Sequence, residues 1–255
     1  MKKWFAVIAI FVSSYVVFLV ATMPLALVLN TVKLPKNINI GSVSGSIWQG
    51  EITQALINNY QINHIKTQLN FWSLLRLSPT LDVNFGEAFS PGAEGKFTLT
   101  ATTKQLLLND VEIFFGANDI AKQLALTMPS LMPVTAQGNV ELLITQLRLD
   151  ISEELQCEQA QGQVSWLGSG VLALENNIKL GNVNADLSCQ QGDLIAKISP
   201  KNNLGLHFTA RISLANQKVS GQGYLKPGAQ FPAQLTSSLR FIGRPDNQGR
   251  YLLRF

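Results

Sequence analysis

Residues able to do chemistry are few in this sequence and poorly grouped. The histidines are His64 and His207, and neither has a second His, Cys or carboxylate at metal-ligand spacing. His207 falls on the polar side of an alternating segment, so both read as solvated surface histidines. A Ser-His-Asp triad draws on residues scattered along a chain, so spacing does not decide it, but the G-x-S-x-G elbow that would favour one is missing. Gly221-Gln-Gly-Tyr-Leu-Lys226 starts like a dinucleotide fingerprint but has Lys226 at the third glycine position, between strands. It reads as a turn-and-strand glycine pair, and Glu153-Glu154 as a solvated acidic loop. The expectation is a chain that is not an enzyme, with no catalytic residues, no metal and no cofactor.

Cys157 and Cys189 remain. With no C-x-x-C, redox catalysis is disfavoured. Their meaning depends on the compartment, which the beginning of the chain addresses. Trp4 to Leu29 is a run of 26 residues without a charge. About 20 apolar residues span a bilayer, and inside lipid such a segment must satisfy its own amides as a helix. Lys2 and Lys3 precede it and belong in the cytoplasm by the positive-inside rule, although Lys33 and Lys36 on the far side reduce the bias. The competing reading is a cleaved signal peptide, whose apolar region would be about 7–15 residues. The best cut here, after Ala21, has Leu19 at −3, so an uncleaved anchor is expected, with Pro24 kinking or ending the helix late in the run. This places the chain in the inner membrane of a Gram-negative-type envelope, single-pass, with its bulk periplasmic. In an exported domain an even cysteine count suggests a disulfide, contributing roughly 3–4 kcal/mol in the chain-entropy model. Two buried free thiols are the alternative.

Past residue 37 the dominant period is two. Leu206, Phe208, Ala210, Ile212 and Leu214 alternate with polar residues, as do Leu81, Val83 and Phe85, then Phe97, Leu99 and Ala101, then Leu194, Ala196 and Ile198. Turn signals at Glu175-Asn-Asn, Gln191-Gly-Asp, Ala215-Asn-Gln and Pro245–Gly249 separate them. Around the cysteines the pattern predicts strands near 160–167, 171–175 and 178–188. The fold expected is mainly β: an N-terminal transmembrane helix, then an antiparallel meander forming a groove-like curved sheet with one short helix. That helix is placed at Asn118–Met128, from Ile120, Leu124 and Met128 with an Asx cap before and Pro129 after. Phe71–Leu77, stopped by Ser78-Pro79, reads as a helical turn or strand cap. The expected divisions are 1–32 (tip and anchor), 33–37 (linker), 38–130 and 131–255. Whether the last two are separate domains or one sheet stays open, with Pro129 and Pro133 at their junction.

Only 14% of residues are charged, against roughly 25% in typical soluble domains. Setting aside Lys2 and Lys3 leaves 18 basic against 16 acidic residues, with no basic stripe, so nucleic acid is not an expected partner. The ending Arg250-Tyr-Leu-Leu-Arg-Phe255 alternates and finishes on an aromatic residue, as outer-membrane barrels do, but a closing hairpin strand explains it equally.

After the anchor comes Val43-Ser-Gly-Ser-Ile-Trp-Gln-Gly50. An anchor followed closely by such a G-x-[LIV]-W-x-G element resembles the type II secretion system protein N family. Phe71-Trp-Ser-Leu-Leu-Arg-Leu and the closing Phe241–Tyr251 hairpin are similar in kind, while a single tryptophan in the C-terminal half, Trp166, departs from the pattern. The resemblance implies an accessory inner-membrane component of a protein-export machine. Its partners would be other secretion components (the inner-membrane platform or the secretin), and it would carry no catalytic residues. In general plan the chain is also similar to AsmA-like envelope proteins, in which an anchored sheet curls into a groove for lipid. Gly45 and Gly50 would permit a tight turn around Trp48, with Ile47 beside it. Trp48 is then either a core residue closing the sheet near the membrane or a contact for a partner.

Overall fold

The computed structural model describes residues 2–31, 38–57, 60–87, 92–127, 135–173 and 176–254. The 33–37 linker, the junction with Pro129 and Pro133, Met128, Glu175 and Phe255 lie outside the described residues, as do the side chains of Lys2 and Lys3. Two helices open the chain, α1 (Lys2–Ala21) and α2 (Leu25–Thr31), where one was expected. Pro24 separates them, because a proline has no amide to donate back to residue 20. Among the described residues no helix is long and apolar enough to cross a membrane.

The fourteen strands among the described residues form one antiparallel sheet in chain order. β1 (Ile38–Ile40) and β2 (Val43–Gly45) lie along the same edge of β3 (Gln49–Ile57), and the bond from the Gly41 amide to the Gln54 carbonyl at 2.8 Å carries the ladder between them. Then follow β4 (Tyr60–Leu69), β5 (Thr80–Phe85), β6 (Glu94–Ala101), β7 (Gln105–Gly116), β8 (Thr135–Asp150), β9 (Gln156–Ala173) and β10 (Asn176–Gln190). The last four are β11 (Asp193–Ile198), β12 (Leu206–Ser213), β13 (Lys218–Leu225) and β14 (Tyr251–Arg254). β7 and β8, on either side of the expected junction between halves, pair from Gln105↔Asp150 to Gly116↔Asn139.

Period-two alternation sorts the sheet into two faces. One cross-strand row runs Phe85, Gly95, Ile113, Leu142, Val164, Ala185, Ile198, Phe208, Gly223 and Leu253, apolar or glycine at every strand from β5 to β14. The neighbouring row on the opposite face runs Glu51, Lys66, Asn84, Lys96, Glu112, Leu143, Gln163, Asp186, Lys197, Thr209, Gln222 and Arg254, interrupted only by Leu143. The sheet curls toward its apolar face. Tyr60 on β4 and Phe115 on β7 have ring centroids 5.9 Å apart, whereas three strand spacings on a flat sheet would hold them about 14 Å apart.

Three-residue steps between apolar positions would turn a strand's apolar side outward. Bulges absorb them. His64 (φ 51°) lets Ile62 and Ile65 join one cluster around Val83 and Phe85, and Asp110 (φ 50°) sits between Leu108 and Val111, which join a second with Ile144 and Leu187. His and Asp tolerate this left-handed conformation better than most side chains. Within the second cluster Ile144 and Leu187 lie either side of Gly162 in the register, where a Cβ would stand 2.5 Å from the Leu143 carbonyl oxygen.

Several expectations change. The segments expected at 160–167 and 171–175 are one strand, β9, because Gly168 (φ 58°) makes a bulge rather than a turn. Gly221 and Gly223 lie inside β13, not between strands. Short helices number more than one: α3 (Phe71–Leu75), α4 (Ala117–Thr127), which starts ahead of Asn118, and a 3-10 helix over Ala233–Phe241 that the alternation did not announce.

Candidate functional site: the joint between helix and sheet

Pro24 leaves carbonyls near the end of α1 without their usual helical donors. The β2–β3 hairpin supplies two. The Trp48 indole Nε1–H donates to the Val20 carbonyl at 3.1 Å, and the Ile47 amide donates to the Met23 carbonyl at 3.0 Å. Pro24 and Ser46 form a β-bridge beside them. The hairpin that the sequence singled out as Gly45, Ile47, Trp48 and Gly50 is therefore the C-terminal cap of the apolar helix.

Both glycines have steric reasons to be there. Gly45 closes the turn at φ 82°, where a Cβ would lie 2.3 Å from the Gln49 carbonyl oxygen. Gly50 is buried, and a Cβ there would lie 2.2 Å from Leu25 Cδ2, so α2 rests directly on the strand backbone. The Trp48 ring meets Phe71 with centroids 5.4 Å apart. Val16, Val17, Val20, Ala21, Trp48 and Phe71 line an almost wholly apolar cavity of about 310 Å³. Sequence reasoning found Trp48 but not its partners Val20 and Phe71, nor Met23 and Leu25 as the residues that Ile47 and Gly50 meet. The available signal was Pro24, since a proline in a helix frees the carbonyl four residues earlier.

The other singled-out residues lie apart from this joint. Cys157 and Cys189 are disulfide-bonded, with Cα atoms 5.4 Å apart, tying the start of β9 to the end of β10. His64 stands 3.7 Å from Glu87, and Lys96 pairs with Glu112 at 3.1 Å, around an open cavity of about 440 Å³ on the polar face. His207 stacks on Tyr224, centroids 5.0 Å apart. Glu153 and Glu154 are exposed. Among the described residues no three His, Cys, Asp or Glu side chains are grouped to hold a metal ion. Burial, with a smaller contribution from Asp119, pushes the Tyr60 hydroxyl up. In the turn before β14 the Arg250 amide and then its guanidinium hydrogen-bond Asp246 and hold its carboxyl at about 2.

The family model for the type II secretion system (T2SS), protein N, matches residues 36–254, from the far side of the joint almost to the last residue. The chain belongs to the type II secretion system protein N family. Members named type II secretion system protein N align along nearly all of it. The Aeromonas hydrophila protein is 26% identical over 257 aligned positions, covering 100% of this chain and 98% of that protein. The Vibrio cholerae protein is 26% identical, covering 91% and 89%, and the Pectobacterium carotovorum protein 24%, covering 96% and 93%. No solved structure matches. The family match begins beyond α1 and α2 and takes in the capping hairpin, so Trp48, which hydrogen-bonds back to the helix, lies within the family-matched region.

Proposed function

We propose that this protein is an accessory component of the type II secretion machinery, held in the inner membrane by its first helices and acting by binding rather than catalysis. Family membership supports the secretion role. The anchored reading is supported by the uncharged run Trp4–Leu29 and by α1, whose apolar side chains stand open around the helix, Ile10 at 70% and Phe11 at 71% exposed. The 26 residues of that run exceed the roughly 20 that a bilayer core requires, and α1 with α2 carries most of it as helix. Lys2 and Lys3 lie cytoplasmic in this reading, and the sheet periplasmic, where the Cys157–Cys189 disulfide persists. The halves 38–130 and 131–255 act as one module through the β7–β8 pairing.

The observation that carries the reading is the capped joint. A helix end hydrogen-bonded to a hairpin of the sheet holds the sheet at a set position beside the membrane, as a scaffold requires. Its partners are other secretion components, either the inner-membrane platform or the secretin. A second reading, an AsmA-like lipid-binding protein, draws on the unbroken apolar row of the curled face. In-cell photocrosslinking from probes at Trp48 and along Leu206–Ser213 separates the two. The scaffold predicts adducts with secretion proteins and reduced exoprotein release on deletion. Lipid adducts in the strand positions, with release unchanged, would replace it by the second reading.

A further inference from the structure

α3 is built inside out. Its buried residue is Ser73, whose hydroxyl donates to the Asn70 carbonyl at 2.5 Å and accepts from the Thr80 amide at 2.8 Å. Its outward side chains are apolar: Phe71, Trp72 and Leu75, followed by Leu77, stand 52%, 69%, 65% and 83% exposed. Leu77 is also held at φ 55°, a conformation usually left to glycine, by the bond from its amide to the Leu74 carbonyl. A leucine there is unfavourable in water on two counts, backbone and solvation.

The patch continues the surface of the apolar helix. Phe71 touches Trp48 and lines the same cavity as Val16, Val17, Val20 and Ala21 in the last turns of α1. Between Ile52 and Leu81 the chain has no acidic residue, and Arg76 sits exposed among the apolar side chains. An aromatic and aliphatic cluster with a single arginine matches a bilayer's interfacial zone, where tryptophan rings sit at headgroup level and arginine reaches the phosphates. We infer that α3 is a second membrane contact: Phe71, Trp72, Leu75 and Leu77 enter the interface of the leaflet reached by the end of α1 and seat the sheet's first strands on the lipid. This rests on the anchored reading above.

The test is spin labelling of the full chain in vesicles of phosphatidylethanolamine and phosphatidylglycerol. Labels replace Trp72, Leu75 or Leu77 one at a time, with Phe11 as an α1 control and Lys218 as an aqueous control. Exposure to oxygen and to a water-soluble nickel chelate is read at each. The proposal expects oxygen to dominate at 72, 75, 77 and 11, and the chelate at 218. Chelate access at 72, 75 and 77 with Phe11 in lipid would overturn the patch and leave the anchor standing. Exclusion of both reagents there, meaning contact with protein, would overturn it equally. Chelate access at Phe11 would overturn the anchor, and the proposal with it.

Discussion

Pro24 and Trp48 work as a pair: one withdraws a backbone donor from Val20, the other replaces it with an indole N–H. Trp48→Phe keeps a ring against Phe71 but loses the donor, so it should destabilise by about 1 kcal/mol, and Trp48→Ala by more. Thermal melting in detergent checks the order. Trp48 was legible in the sequence as an anchor between two glycines. Its partner was only half legible: Pro24 marks the Val20 carbonyl as short of a helical donor, but nothing local says that the replacement comes from a side chain 28 residues further on. Asp246 offers a second test. Its folded pKa, about 2, lies below the ordinary carboxylate value, so its contribution is complete above about pH 4 and fades as pH falls toward 2. Asp246→Asn should therefore lower the melting midpoint by a constant amount above pH 4. The gap to the parent protein should close on acidification. A gap unchanged down to pH 2 would show that the charge is not what organises the turn.

Strands were legible wherever alternation was clean, and blurred wherever glycine had two possible meanings. Gly192 and Gly168 both have positive φ. Gly192 follows Gln191 (φ 54°) in the two-residue turn between β10 and β11, the left-handed pair such turns favour. Gly168 only kinks a strand that continues to Ala173. What separates the cases is the partner strand: β8 keeps pairing with β9 beyond Gly168, out to Thr135↔Leu172, and a single sequence does not display that register. At the other end of β9 the ladder with β10 is recorded only as far as Gly162↔Leu187, and the disulfide spans the strand ends beyond it. With the cysteines 32 positions apart in sequence, the chain-entropy model gives about 3–4 kcal/mol. Cys157→Ser with Cys189→Ser should keep the sheet's circular dichroism and melt roughly 10 °C lower, at about 2–4 °C per kcal/mol for a chain of this size. An unchanged midpoint in the double variant would assign the strand ends' stability to the ladder alone.

At the scale of the molecule the sheet is a single curled surface whose two faces differ in chemistry along almost their whole width, and neighbouring residues of one strand can test that. Val164 belongs to the apolar row and packs on the cluster of Val111, Ile144 and Leu187; Gln163 belongs to the polar row and faces Asp186 across the β9–β10 register. The curl was legible only as an expectation of a groove, because alternation marks which side chains share a face and not how far that face bends. The bend comes from the Asp110 bulge, where the β6–β7 register shifts, and from glycines such as Gly162, whose missing side chain lets its neighbours close together. Gln163→Lys places a cation opposite Asp186 and should change stability by less than about 0.5 kcal/mol. Val164→Lys, one position along, turns the same cation into the apolar cluster, away from water and from any carboxylate in its row. It should cost about 3 kcal/mol or more and lower the melting midpoint correspondingly. Equal effects from the two substitutions would mean that the apolar face is as wet as the polar one, and that the curl closes no core.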